Sequence, residues 1–190
     1  MGNHQPINMT ISNFKNRKTR LVATNTQCVI WLLMLVCTTL NFVGYAAEVG
    51  GSISQNTLWS LVNSPYHVTQ DIVVDSGGTL NIESGVVVNL DNGIRFDING
   101  TLIARGSTSQ KITFQPVSST TPGSWDMIYF SNSSVDATLD EGGNYSGGSI
   151  LQYCVIQYGG GGEANAQIEL RSASPLIEHC DSEVMHQQRL

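Results

Sequence analysis

Two cysteines occupy matching places in this sequence. Ile150-Leu-Gln-Tyr-Cys154 and Leu176-Ile-Glu-His-Cys180 align at an offset of 26. If these segments are neighbouring strands, their backbones lie about 4.8 Å apart. A disulfide accepts Cα separations of roughly 4.4–6.8 Å. Three readings stay open for Cys154 and Cys180: a disulfide in an oxidising compartment, two small buried apolar side chains in an interior stack, or a metal pair. Alternation along the strand would turn His179 to the face opposite Cys180.

Acidic residues approach one another at Asp91/Asp97 and at Asp136/Asp140/Glu141. Calcium takes about six to eight oxygens, and neither group carries a Gly-Gly-x-Gly-x-Asp loop. The expectation is solvated corner acids and no cofactor, with calcium as the alternative. Glycoside hydrolysis needs paired carboxylates on one face. Asp71, Asp75, Asp97 and Asp126 fall mostly at strand ends instead. A polysaccharide lyase would set calcium-holding acids beside an Arg or Lys base, and the five bases after residue 47 are scattered. No catalytic or metal-binding residue is assigned within the chain.

The aromatics Trp59, Tyr66, Trp125, Tyr129, Tyr145, Tyr153 and Tyr158 could line a groove for sugar rings, or serve edge packing and capping. Trp59 and Tyr66 precede the first repeat and are expected to cover its open end. Tyr129 alternates out of step with Ile128 and Phe130, so it should face outward, as should Tyr153; these two are the candidates for a sugar-stacking surface. Asn99-Gly-Thr101, Asn132-Ser-Ser134 and Asn144-Tyr-Ser146 are glycosylation sequons, which matter only on a eukaryotic secretory route.

The elements that must hold these residues are set by composition and patterning. The chain has 190 residues, 41% apolar and only 13% charged, with 19 glycines. This excludes a solvated disordered chain and a charge-laced coiled coil. A net charge of -6 argues against a nucleic-acid partner. Charge divides unevenly. Residues 1–47 hold Lys15, Arg17, Lys18 and Arg20 and no acid, whereas all 15 acids lie beyond. After the basic cluster comes the apolar run Cys28-Val-Ile-Trp-Leu-Leu-Met-Leu-Val-Cys37, then small residues. A basic start, a short apolar run and a small-x-small site describe a secretory signal. Cleavage is expected after Ala46 or Ala47. The alternative is an uncleaved membrane anchor over 28–47, favoured by the long polar leader but short of the roughly 20 apolar residues a span needs. A lipoprotein cysteine at Cys37 is disfavoured by Val36. On each reading the rest of the chain is exported, to the cell surface or beyond it, and touches membrane only through its N-terminal segment.

Beyond residue 50 apolar residues alternate in short bursts: Leu80/Ile82, Val86/Val88/Leu90, Ile94/Phe96/Ile98, Ile112/Phe114 and Ile128/Phe130. Period-two runs broken by Gly, Asn, Ser and Asp predict short strands with one buried face. The bursts also repeat. Ile72-Val-Val-Asp-Ser-Gly-Gly-Thr-Leu80 matches Ile94-Arg-Phe-Asp-Ile-Asn-Gly-Thr-Leu102 at an offset of 22, and Val88/Leu90 match Ile112/Phe114 at 24. Such self-similarity marks a solenoid, and coils of strands alone suit a parallel β-helix. Stacking would then place Ile72 under Ile94 and Leu80 under Leu102. Gly78 and Gly100 would serve corners of positive φ, and Asp75 and Asp97 would shape equivalent turns. Loops are expected at 115–126, 132–148 and 159–162.

These residues resemble a known group. Trp59, Ser64-Pro-Tyr66, Ile72-Val-Val74, Gly78-Thr-Leu-Asn-Ile-Glu-Ser-Gly-Val-Val-Val88, Gly100-Thr-Leu-Ile-Ala-Arg-Gly106, Ile112-Thr-Phe114, Gly123-Ser-Trp125, Ile128-Tyr-Phe130 and Leu151-Gln-Tyr-Cys-Val-Ile-Gln-Tyr-Gly-Gly160 are similar to the N-terminal part of right-handed parallel β-helix proteins of the pectin lyase-like superfamily, in bacterial exported or surface form. The likeness covers roughly residues 50–184 and rests on core and corner positions. It therefore implies fold more than function, since the fold hosts lyases, hydrolases, adhesins and stalks alike.

The expectation is an all-β chain, a right-handed single-stranded parallel β-helix with coils of 22–26 residues behind an N-terminal signal or anchor helix. Residues 1–46 are the signal, 47–71 an N-terminal cap, and 72–190 the coils, ending without a recognisable cap as a truncated frame would. The expected function is non-catalytic: a rigid face presented to a polysaccharide or a surface protein. The alternative is the front portion of a polysaccharide lyase or glycoside hydrolase whose active site lies on further coils. A purely structural stalk is a third class.

Overall fold

The computed structural model describes residues 46–163 and 165–183. The basic cluster, the apolar run and the signal or anchor helix expected there lie outside the described residues, as do residues 184–190. Among the described residues no helix is long and apolar enough to cross a membrane. The helical element among them is a single 3-10 turn at Leu61–Asn63.

The described chain is all-β. Its strands are β1 (Ala47–Ile53), β2 (Asn56–Trp59), β3 (Tyr66–Val74), β4 (Thr79–Ile82), β5 (Val87–Leu90) and β6 (Phe96–Ile98). Then come β7 (Thr101–Arg105), β8 (Ile112–Pro116), β9 (Ile128–Phe130), β10 (Thr138–Leu139) and β11 (Tyr145–Gly147). The last are β12 (Ile150–Gln152), β13 (Cys154–Gln157), β14 (Ile168–Leu170), β15 (Leu176–Glu178) and β16 (Asp181–Glu183).

All pairings are parallel except the small β10–β11 hairpin. The strands form three rows. One runs β2-β4-β7-β12-β15. A second runs from the front half of β3 through β5, β8 and β13 to β16, and a third from the rear half of β3 through β6 and β9 to β14. β3 joins the last two because Tyr66–Val68 pair with β5 while Ile72–Val74 pair with β6. The chain visits the rows in constant rotation. Parallel strands thus curl about one apolar interior, an arrangement compatible with a parallel β-helix.

Why these segments are strands is visible in their burial. β4 reads Thr79-Leu-Asn-Ile82 with Leu80 and Ile82 buried; β6 and β9 bury their first and third residues. Every apolar pair and triplet picked out by alternation is buried, from Leu80 to Phe130. β-branched and aromatic residues suit a pleated, half-buried surface, and stacking like on like fills the interior. Trp59 stacks on Tyr66 at 4.9 Å and meets Phe96 edge-on at 6.1 Å, and Phe96 meets Phe114 at 6.0 Å. Residues 47–71, expected as a cap, contain β1, β2 and the front of β3, already in parallel register with the later strands. Ala47, one of the two residues at the expected cleavage site, opens β1, and its N–H donates to the Pro65 carbonyl at 3.1 Å.

The register corrects three sequence expectations. Thr79 and Leu80 do lie against Thr101 and Leu102. Ile72, however, stacks on Phe96 and not on Ile94. Val88 and Leu90 stack on Phe114 and Pro116, not on Ile112 and Phe114. Each error is a slip of two residues, which alternation cannot detect because it keeps every side chain on its face. The cause is corner length. Four residues, 75–78, separate β3 from β4, but two, 99–100, separate β6 from β7. Consequently Asp97 is no counterpart of Asp75: it lies within β6, whereas Asp75 sits at a corner, accepting from Ser52 Oγ and from the Gly78 N–H. Neither Gly78 nor Gly100 has positive φ. They are needed for close approach. A Cβ on Gly78 would overlap the Ile53 carbonyl, and one on Gly100 the carbonyls of Asp75 and Gly78.

Candidate functional site

The third row sets four outward positions in line: Val73, Asp97, Tyr129 and Glu169. The neighbours Phe96, Ile98, Ile128 and Phe130 point inward and are fully buried, so Asp97 and Tyr129 must project from the sheet. Backbone bonds fix the residues flanking this line. The Arg95 N–H donates to Asp71 Oδ1 at 2.9 Å, Asp126 N–H to the Ile94 carbonyl at 2.8 Å, and Arg171 N–H to the Phe130 carbonyl at 2.9 Å. Arg95 therefore enters beside β6, Asp126 beside β9 and Arg171 beside β14.

Beside this line lies an open polar cleft of about 370 Å³. Tyr129 and Met127 form its apolar part. Arg95, Arg171, Asp126, Glu163 and Glu169 supply the charge, and Gly162 lies at its wall. Arg95 is fixed: its Nε donates to Asp97 Oδ1 at 2.7 Å, and its guanidinium lies 4.4 Å from the Tyr129 ring centroid. One face of the ring is thus covered by a cation held in place. Arg171 is exposed and has no acidic partner among the described residues. Asp126 Oδ1 is buried with no hydrogen-bond partner. It faces Gly162, where a Cβ would overlap it. The cleft therefore offers a fixed tyrosine ring, a guanidinium without an ion-pair partner and the carboxylates of Glu163 and Glu169. That set can hydrogen-bond a ligand rich in hydroxyls.

Of the two residues expected to stack on sugar, Tyr129 lies in the cleft. Tyr153 does not. It occupies the bend between β12 and β13 at φ 51°, where its ring stacks on His179 at 4.7 Å. His179 has φ 54° at the equivalent bend one turn further on. Both have left the strand alternation from which their directions were read, so Tyr129 and Tyr153 form no common surface. Trp59, Tyr66 and Trp125 are buried, which removes them from any groove. Trp125 lies against Gly159 and donates its indole N–H to the Gln157 carbonyl at 2.7 Å. Tyr145 packs under Arg105, at 5.1 Å, with its hydroxyl donating to the Gly148 carbonyl.

The acids are engaged locally. Asp91 accepts from His67 at 2.8 Å. Asp140 folds the β10–β11 turn, accepting the N–H groups of Gly142 and Asn144; the Asn144 bonds hold its carboxyl below the usual range. Asp136 accepts the Ser174 N–H at 2.7 Å. No three His, Cys, Asp or Glu among the described residues are placed to hold a metal ion. Cys154, the first residue of β13, and Cys180, the residue before β16, occupy equivalent positions, since Gln152 pairs with Glu178 and Val155 with Asp181, and both are free thiols.

Sequence reasoning missed the meeting of Arg95 and Arg171, 76 residues apart, across the face that carries Tyr129. A signal existed. Phe96-x-Ile98, Ile128-x-Phe130 and Ile168-x-Leu170 are one triplet repeated, and their middle residues are the cleft's outward line. The loop at 117–127 and the excursion at 131–149 that carries the β10–β11 hairpin hid the repeat, because they place the triplets at unequal spacing.

No family model matches the chain, and no solved structure does. Over 67 residues, 35% of the chain, it is 31% identical to Protein bark beetle of Drosophila melanogaster. The match spans 2% of that protein's length.

Proposed function

We propose that residues 47–183 are successive coils of a right-handed parallel β-helix of the pectin lyase-like kind, exported to the cell surface or beyond, whose lateral face binds carbohydrate. The observation that carries this reading is the outward line Asp97, Tyr129 and Glu169 flanked by Arg95 and Arg171. Carbohydrate sites pair an aromatic surface for the C–H faces of a sugar with a few fixed polar groups for its hydroxyls. The cleft has both, on strands whose direction is set by a buried core. The basic, then apolar, then small-residue order of the leader supports export.

The test is binding of the full chain to a panel of neutral and acidic oligosaccharides. A ligand should emerge, and Tyr129→Ala and Arg171→Ala should each weaken it by about tenfold or more, roughly 1.4 kcal/mol. A panel without ligands, or ligands indifferent to both substitutions, would exclude the cleft as the site.

A second reading places a polysaccharide lyase or glycoside hydrolase site in this cleft itself, rather than on further coils, and is favoured by the acids Asp126 and Glu169 lining it beside Arg95 and Arg171. It predicts release of new chain ends from a polysaccharide and their loss in Asp126→Asn. Binding without turnover would leave the first reading standing.

A further inference from the structure

Away from the cleft, two thiols face each other across neighbouring strands. Cys154 is fully buried in the core, with its Sγ 3.5 Å from the Ala104 carbonyl. Cys180 packs against that core but is half-buried, its Sγ 3.4 Å from the Leu151 carbonyl. The flanking register, Gln152 on Glu178 and Val155 on Asp181, sets Cys180, the residue before β16, opposite Cys154 at the start of β13. That spacing of about 4.8 Å lies within disulfide reach. The two are chemically unlike: one is enclosed by apolar side chains, and the other opens to solvent beside Asp181, which Lys111 neutralises through an ion pair.

We propose that Cys180 and Cys154 are an attacking and resolving thiol pair, oxidised by exchange with a small disulfide to clamp the last strands onto those beneath. The Cys180 thiolate attacks one sulfur of a compound such as glutathione disulfide. A mixed disulfide forms and one small thiolate leaves. Cys154 then gives up its proton, attacks the Cys180 sulfur and expels the second small thiolate. Two protein S–H groups become one S–S bond, and the small disulfide is reduced to two thiols. A hydrogen bond from Cys154 holds the Cys180 thiol below its ordinary range, while that bond and burial push Cys154 up, which suits this order of attack. The bond would close the loop 155–179, which contains β14 and β15, and so constrain those strands.

The full chain, incubated with glutathione disulfide, alkylated and digested with trypsin without reduction, tests this. Cleavage after Lys111, Arg171 and Arg189 puts Cys154 in peptide 112–171 and Cys180 in peptide 172–189. The expected result is these two peptides joined, with both thiols lost together. In Cys154→Ser, a stable glutathione adduct should accumulate on Cys180. Native cleavage after Arg171 should slow by about tenfold on oxidation, as expected when local opening is suppressed. Both cysteines remaining alkylatable, Cys180 joining Cys28 or Cys37, or unchanged cleavage after oxidation would overturn the clamp.

Discussion

A single residue type does different work here according to where the chain turns. Gly100 is required because its missing side chain lets the carbonyls of Asp75 and Gly78 come close, not because of its φ. Gly100→Ala should therefore force the two turns apart and lower stability by about 1–3 kcal/mol, in the range of core overpacking. Urea unfolding of the two proteins measures this, and an unchanged midpoint would disprove the contact. Cys180 is pulled down to about 7 by the hydrogen bond from Cys154. Its thiolate, and so its alkylation rate, should rise from pH 6 to pH 8 with a midpoint near 7. Cys154 should stay unreactive over the same range because burial and the shared hydrogen bond disfavour its thiolate.

Elements are more legible than their alignment. Alternation picks out the inward faces of β4, β5, β6, β8 and β9, because an apolar residue in the wrong phase would face water. The offset of 26 between β12 and β15 is also readable, since Ile150, Gln152 and Cys154 fall on Leu176, Glu178 and Cys180 with no change in corner length between them. The registers of β3 on β6 and β5 on β8 are not readable. A two-residue slip leaves every apolar residue buried and every polar residue outside, so corner length alone decides. That is why alternation sets Ile72 under Ile94, and why it leaves the neighbours of Tyr129 hidden. Tyr153 and His179 escape it for a related reason: both sit at positive φ on a bend, where strand alternation no longer sets direction.

At the scale of the molecule, parallel rows turn a chain with few charges into one with a defined polar face. Arg95, Tyr129 and Arg171 meet only because the three triplets stack in one register, and the whole binding proposal rests on that stacking. Cross-linking tests it most directly. In a chain carrying Cys154→Ser and Cys180→Ser, Asp97→Cys should form a disulfide with Tyr129→Cys, since residues 97 and 129 are paired positions in β6 and β9. Tryptic peptides 96–105 and 112–171 would then appear joined. Failure of that pair, with Asp97→Cys linking instead to Met127→Cys or Ser131→Cys, would show a register slipped by two residues and would dissolve the cleft.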